Sequence, residues 1–240
     1  MDTPTQPQAK TSPPLLQLTR VSKHYTEGHQ RRTVLDKVDA RVQAGEIVAL
    51  VGRSGSGKST LLNLLAGIDR PDTGEIHVHA RRLDTMSERE RTLFRRREVG
   101  FVYQFFNLIP TLTVAENVAL PMELNGVGSR ERGERVKHLL DLVELGHRSQ
   151  AFPDELSGGE QQRVAMVRAM AHEPALLLAD EPTGNLDAET GARIISLLRD
   201  LVRDQGRTLV MVTHSQEMAA IADRVWTLSE GHITPTDNTP

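Results

Sequence analysis

The sequence predicts an α/β protein with a mainly parallel sheet and a helical segment inserted into it. Apolar runs such as Ile47–Val51 and Thr208–Val212 contain no charged residue, as strands buried on both faces require. Patterns of helical period separate these runs, and strand–helix alternation implies parallel neighbours. Between Thr113 and His172 the strand pattern disappears, which places a helical insert at about positions 105–172.

The elements follow in order. Residues 1–14 carry Pro4, Pro7, Pro13 and Pro14 among Thr, Gln and Ser, and 235–240 are similar, so both ends are expected to be disordered tails. Leu16, Leu18 and Val21 suggest a first strand, and Val34, Val38 and Val42 mark a second before the Ala44–Gly45 turn. The strand Ile47–Val51 ends in glycine, and a helix should follow over 58–66. Residues 74–78 read as a short strand, 87–97 as a charged, solvated helix and 99–103 as a strand. Thr113 and Glu116 form a capping box for a helix running towards Leu120. Val136, Leu139, Leu140 and Val143 share one face of a helix over 129–144. Strands resume at 175–179, 208–212 and 224–228, with helices over 188–202 and 216–222 between them.

Composition removes several function classes. The chain has 240 residues, with 38% hydrophobic and 25% charged side chains, as in a globular protein with a sizeable core. With 29 basic against 32 acidic side chains the net charge is −3, so bulk charge gives no argument for nucleic-acid binding. Cysteine is absent, which excludes disulfides, thiolate metal sites and cysteine nucleophiles. No apolar run reaches the ~18–20 residues that span a bilayer, and no stretch at the N-terminus is of signal-peptide type. The chain is expected in the cytosol, and any work at a membrane needs a partner.

The strongest local signal is the run Gly52, Arg53, Ser54, Gly55, Ser56, Gly57, Lys58, Ser59, which fits G-x-x-x-x-G-K-[ST] between a strand and a helix. Glycines let the backbone curl round an anion with its N–H groups inward, and the following helix adds its positive end. Lys58 supplies a cation for the outer phosphates, and the Ser59 hydroxyl is placed to ligate Mg²⁺. The nucleotide-binding set is Gly52, Ser54, Gly55, Ser56, Gly57, Lys58, Ser59 and Thr60. A second apolar strand ends in Asp180 and Glu181. Neighbouring strand residues face opposite ways, so Asp180 is assigned to Mg²⁺ through a water and Glu181 to the attacking water as general base. An exposed carboxylate is a weak base, so the site needs something to close over it.

Leu156, Ser157, Gly158, Gly159, Glu160, Gln161 and Gln162 can be read physically as a capped helix start, either an ordinary one or a second anion-binding terminus. The heptapeptide also resembles the signature motif of ABC-type ATPases, and the family's other motifs occur in its order. Gln104 resembles the Q-loop residue, Asn185, Leu186 and Asp187 the D-loop, and His214 the switch histidine. Tyr25, 27 positions before Gly52, stands where the family has an aromatic residue stacking on adenine, although a surface aromatic at a strand end is the plain alternative. The resemblance spans about residues 15–234.

For the fold, the resemblance implies a P-loop NTPase core with a mainly parallel sheet, an N-terminal antiparallel β region and an inserted helical subdomain. For function, it implies an ATP- and Mg²⁺-dependent ATPase working as a homodimer or beside a similar chain. Ser157, Gly158, Gly159 and Glu160 of each subunit would close over the other's ATP, excluding water from Glu181, with Asp187 among the nucleotide-site residues. His214 would contact the γ-phosphate, and Gln104 would sense Mg²⁺ and the water. Ser215 stands where many members have an acid, and 80–83 lack a turn glycine often found there.

Phe105, Phe106, Leu108, Ile109 and Pro110 follow Gln104 directly. They either fill the insert's own core or form a partner surface, in this family the groove for a permease's coupling helix. Residues 103–113 and 179–187 resemble the ATPases of lipoprotein release, macrolide-type export and cell-division complexes. Such permeases are integral membrane proteins of few spans with a large extracytoplasmic domain, so the ATPase would sit on the inner face of the cell membrane. Importers usually have Ser-Ala in place of Gly184 and Asn185, which ranks import lower. A soluble ABC ATPase acting on DNA or ribosomes remains a separate class, but no nucleic acid is expected, since Arg89, Arg91, Arg95, Arg96 and Arg97 alternate with Glu88, Glu90 and Glu98 on a solvated face.

Overall fold

The computed structural model describes residues 13–28 and 30–237. β1 (Leu16–Glu27) and β2 (Gln30–Val42) pair antiparallel. β3 (Ile47–Val51) leads through the glycine-rich loop into α1 (Lys58–Leu65). β4 (Thr73–Val78) and the two-residue β5 (Arg81–Arg82) complete a first, antiparallel sheet in the order β2-β1-β4-β5. After α2 (Glu88–Glu98) and β6 (Val99–Val102) come the three helices of the insert, α3 (Val114–Leu124), α4 (Ser129–Leu142) and α5 (Gly158–Met170). The chain then alternates through β7 (Leu176–Asp180), α6 (Ala188–Asp204), β8 (Thr208–Val212), α7 (Gln216–Ala220) and β9 (Arg224–Ser229) to β10 (His232–Asp237).

The second sheet has the order β10-β9-β3-β8-β7-β6 and is parallel except for β10. Its apolar residues divide by the two-residue strand period. Ile47, Ala49, Leu177, Ala179, Leu209 and Met211 join the core beneath α3–α6, whereas Val48, Leu50, Leu176, Leu178, Val210 and Val212 join α1 and the antiparallel sheet. The central strands thus carry a hydrophobic core on each face, which accounts for their unbroken apolar runs.

Helix starts follow the capping chemistry. Ser87–Glu90, Thr113–Glu116 and Ser157–Glu160 each close a reciprocal box at α2, α3 and α5. β10 corrects the expected C-terminal tail: Pro235, Thr236 and Asp237 pair with Trp226, Val225 and Arg224 of β9. Proline is tolerated there because β10 is the sheet's edge strand. Of the expected N-terminal tail, 1–12 lie outside the described residues, as do 238–240. Among the described residues no helix is long and apolar enough to cross a membrane.

Candidate functional site

Four neighbouring parallel strands, β3, β8, β7 and β6, bring their C-terminal ends to one edge. The glycine-rich loop, His214, Asp180 with Glu181, and Gln104 follow those ends in that order, so residues far apart in sequence form one row. Ligands of open α/β sheets bind at this edge.

The loop is shaped for close approach. Gly57 has φ 106, and a Cβ there would lie 2.5 Å from Val34 Cγ1, so only glycine fits without strain. Lys58 is buried, and its Nζ donates to the carbonyls of Gly52 and Arg53 at 2.9 and 3.0 Å. The Ser56 hydroxyl is buried without a partner among the described residues, as a loop built to hold another molecule's oxygens would leave it. Tyr25, Ser54, Gly55, Ser59, Thr60, Glu181 and His214 line the cleft in front of Lys58, about 290 Å³ in volume. The Tyr25 hydroxyl donates to Asp69 Oδ2 at 2.9 Å, which anchors the ring at the cleft mouth.

The Ser59 hydroxyl acts on the Asp180 carboxyl, so a hydroxyl and a carboxylate stand side by side. These hard oxygen donors fit a Mg²⁺ ion that takes few protein ligands beside phosphate. Burial, above all, pushes the Asp180 carboxyl above its ordinary pKa; the Ser59 hydrogen bond opposes this, Glu181 adds to it, and Lys58 opposes it. Glu181 leaves the strand with φ 46 while its N–H bonds Val212 O at 3.0 Å, so its carboxylate turns to His214, with Oε1 3.0 Å from Nε2. Ser215 caps α7, accepting from Met218 N at 3.2 Å, a task an acid could equally perform.

Gln104 turns towards residues 184–185. Asn185 Nδ2 donates to the Gln104 carbonyl at 2.9 Å, and a Cβ on Gly184 would meet Gln104 Nε2 at 2.9 Å. Asp187 caps α6, accepting from Thr190 N at 3.0 Å; this bond, foremost, lowers the pKa of its carboxyl. Ser157, Gly158, Gly159 and Glu160 line a different cleft, about 590 Å³, together with Asp187 and Thr190. None of the residues around Lys58 lines that cleft. The Glu160 carboxyl accepts from Ser157 N and Oγ, both at 2.8 Å, and these bonds hold its pKa down.

The apolar stretch after Gln104 is split between buried and exposed positions. Leu108 packs on the core, whereas Phe105 is 68% exposed.

Residues 35–184 match the ABC transporter family. This chain belongs to that family. It is 52% identical over 225 residues to an uncharacterized ABC transporter ATP-binding protein of Mycobacterium tuberculosis strain H37Rv, covering 94% of this chain and 91% of that protein. It is 46% identical over 227 residues to the lipoprotein-releasing system ATP-binding protein LolD of Xanthomonas campestris pv. campestris, covering 94% and 95%. A solved dimeric ATP-binding cassette in a post-hydrolysis state with ADP and Pi superposes with TM-score 0.85 at 38% identity, covering 94% of this chain and 99% of that one. The ABC chain is therefore a nucleotide-binding ATPase with the mixed α/β fold of its family.

Three side chains of this ABC ATPase escape sequence reasoning. Arg32 faces Tyr25 across the β1–β2 pair, lines the same cleft and donates to Gly55 O at 2.9 Å. Asp69 and Lys23 form an ion pair of 2.8 Å behind Tyr25, with Lys23 Nζ 5.2 Å from the ring centroid. These contacts join segments with no shared local pattern, so only the folded arrangement brings them together.

Proposed function

We propose that the chain works as one of two cassettes arranged head to tail, binding two ATP molecules between them and using their hydrolysis to drive a separate membrane permease. The reading rests on the separation of the two clefts. Ser157–Glu160 chemistry suits an anion, yet in a single chain it lines a cleft separate from that of Lys58 and Glu181. A second subunit would supply the missing wall.

In this arrangement Tyr25 stacks on adenine, the N–H groups of 52–60 and Lys58 hold the phosphates, and Ser59, Gln104 and Asp180 (through a water) hold Mg²⁺. When bound, the metal neutralises charge on the β- and γ-phosphates. Glu181 takes a proton from the attacking water, His214 orients that water and the γ-phosphate, and Ser157, Gly158, Gly159 and Glu160 of the other subunit close the site, with Asp187 beside them. Phe105 and its neighbours receive a permease of few spans with a large extracytoplasmic domain. Likeness to the lipoprotein-releasing protein supports release, export or mechanical transmission, on the inner face of the cell membrane.

The test is ATP turnover per chain against protein concentration. Turnover should rise with concentration and level off as dimer forms. Full turnover by a strictly monomeric chain overturns the reading.

A further inference from the structure

Residues 105–112 join Gln104 to α3 and carry the exposed Phe105. Two side chains with no part in the nucleotide chemistry hold this loop. Arg168, in the last turn of α5, donates Nη1 to the Asn107 carbonyl at 2.6 Å and Nη2 to the Phe106 carbonyl at 3.0 Å. Asn107 sits in the left-handed region, at φ 50, inside this grip. Asn117, fully buried in α3, secures the far end: its Oδ1 accepts from Ile109 N at 2.8 Å, and its Nδ2 faces the carbonyls of Ile109, Leu112 and Thr113.

Arg168 stands eleven residues beyond Ser157 on the same helix, about 16 Å along its axis. Near the start of α5 the loop comes close to the helix again, since a Cβ added at Gly158 would lie 3.5 Å from Phe106 Cζ. A planar guanidinium with two forked donors fixes two successive carbonyls in orientation, which a single ammonium cannot do. We infer that Arg168 is a positioning residue that locks the Gln104 loop to the helix carrying Ser157–Glu160. A push on Phe105, or a shift of Gln104, is then delivered to the signature end of α5.

The inference rests on the paired-cassette reading, and its test separates the two. In the Glu181→Gln chain, ATP-dependent dimerisation is followed by light scattering, with ATP affinity measured at concentrations where the chain is monomeric. Arg168→Met should leave that affinity unchanged and raise the protein concentration for half-dimerisation by about ten-fold or more, because a loosened loop has to be ordered again on pairing. Arg168→Lys should fall between, because it restores one bond. A residue that merely supports the fold would lower melting temperature and ATP affinity together. Equal dimerisation of the Met variant and its parent overturns the inference, and if the Met variant does not fold, Arg168→Lys dimerising like its parent does so. Failure of the parent to dimerise overturns the paired-cassette reading instead. Amide exchange over 105–112 then decides the lock by itself: faster exchange in Arg168→Met supports it, and identical exchange overturns it.

Discussion

Replacing Glu181 with glutamine removes one chemical capacity and little else. Glu181 Oε1 lies 3.0 Å from His214 Nε2, and its backbone N–H is tied to Val212 O. Glutamine has nearly the same shape, can keep the contact to His214 and leaves the backbone bond untouched. It cannot accept a proton from water at neutral pH. A positioned general base contributes ~10²–10⁴-fold, which corresponds to ~2.7–5.4 kcal/mol on the barrier. Single-turnover phosphate release with saturating Mg²⁺ and ATP is the direct assay, paired with calorimetric titration of ATP. Release should slow by about a hundred-fold or more while ATP affinity holds, and the ATP-bound form should accumulate. Release at the parental rate would remove Glu181 from the proton transfer.

Lys58→Ala should weaken ATP binding by roughly 10–100-fold, the scale of one charge-assisted hydrogen bond, and calorimetry showing parental affinity would remove Lys58 from the phosphate site. At Gly159 a side chain would meet the Thr190 methyl at 2.6 Å, a group that can rotate away. Gly159→Asp should therefore fold and bind ATP normally, yet prevent the ATP-dependent dimer of the Glu181→Gln chain in size-exclusion chromatography. Burial alone would raise the Asp69 pKa, but Lys23, the Arg70 N–H and the Tyr25 hydroxyl outweigh it and hold it low. Its stabilisation is then present above the ordinary carboxylate value of ~3.9 and is lost as pH falls through the lowered one. Solvent reaches Asp69 but Lys23 is buried, so Asp69→Asn should cost on the order of 1–2 kcal/mol at neutral pH, the scale of a hydrogen bond to a charged group, and thermal melts should converge with the parent's in acid.

What could be read in the sequence was local. The buried strands announced themselves because both faces are covered, and the boxes at Thr113 and Ser157 because capping needs only residues three apart. The phosphate loop was legible because its glycines, lysine and serine are contiguous. β10 was not, since its Pro and Thr residues resemble a tail until an edge strand is known to lie beside them. Arg168 and Asn117 were hidden for another reason. Each is a polar residue among apolar neighbours on a helix, a pattern that announces burial without naming the carbonyls that satisfy it.

The divided interior has a mechanical consequence. Ile47 and Ala49 belong to one oily layer and Val48 and Leu50 to the other, so the central sheet is a stiff plate between two separately sealed compartments. The compartment under α1 takes the strand and helix that flank the glycine-rich loop, while the opposite one takes the helical insert. Were the helices on the insert's side to tilt, only that side's core would have to repack, and the seal on the other side would stay shut.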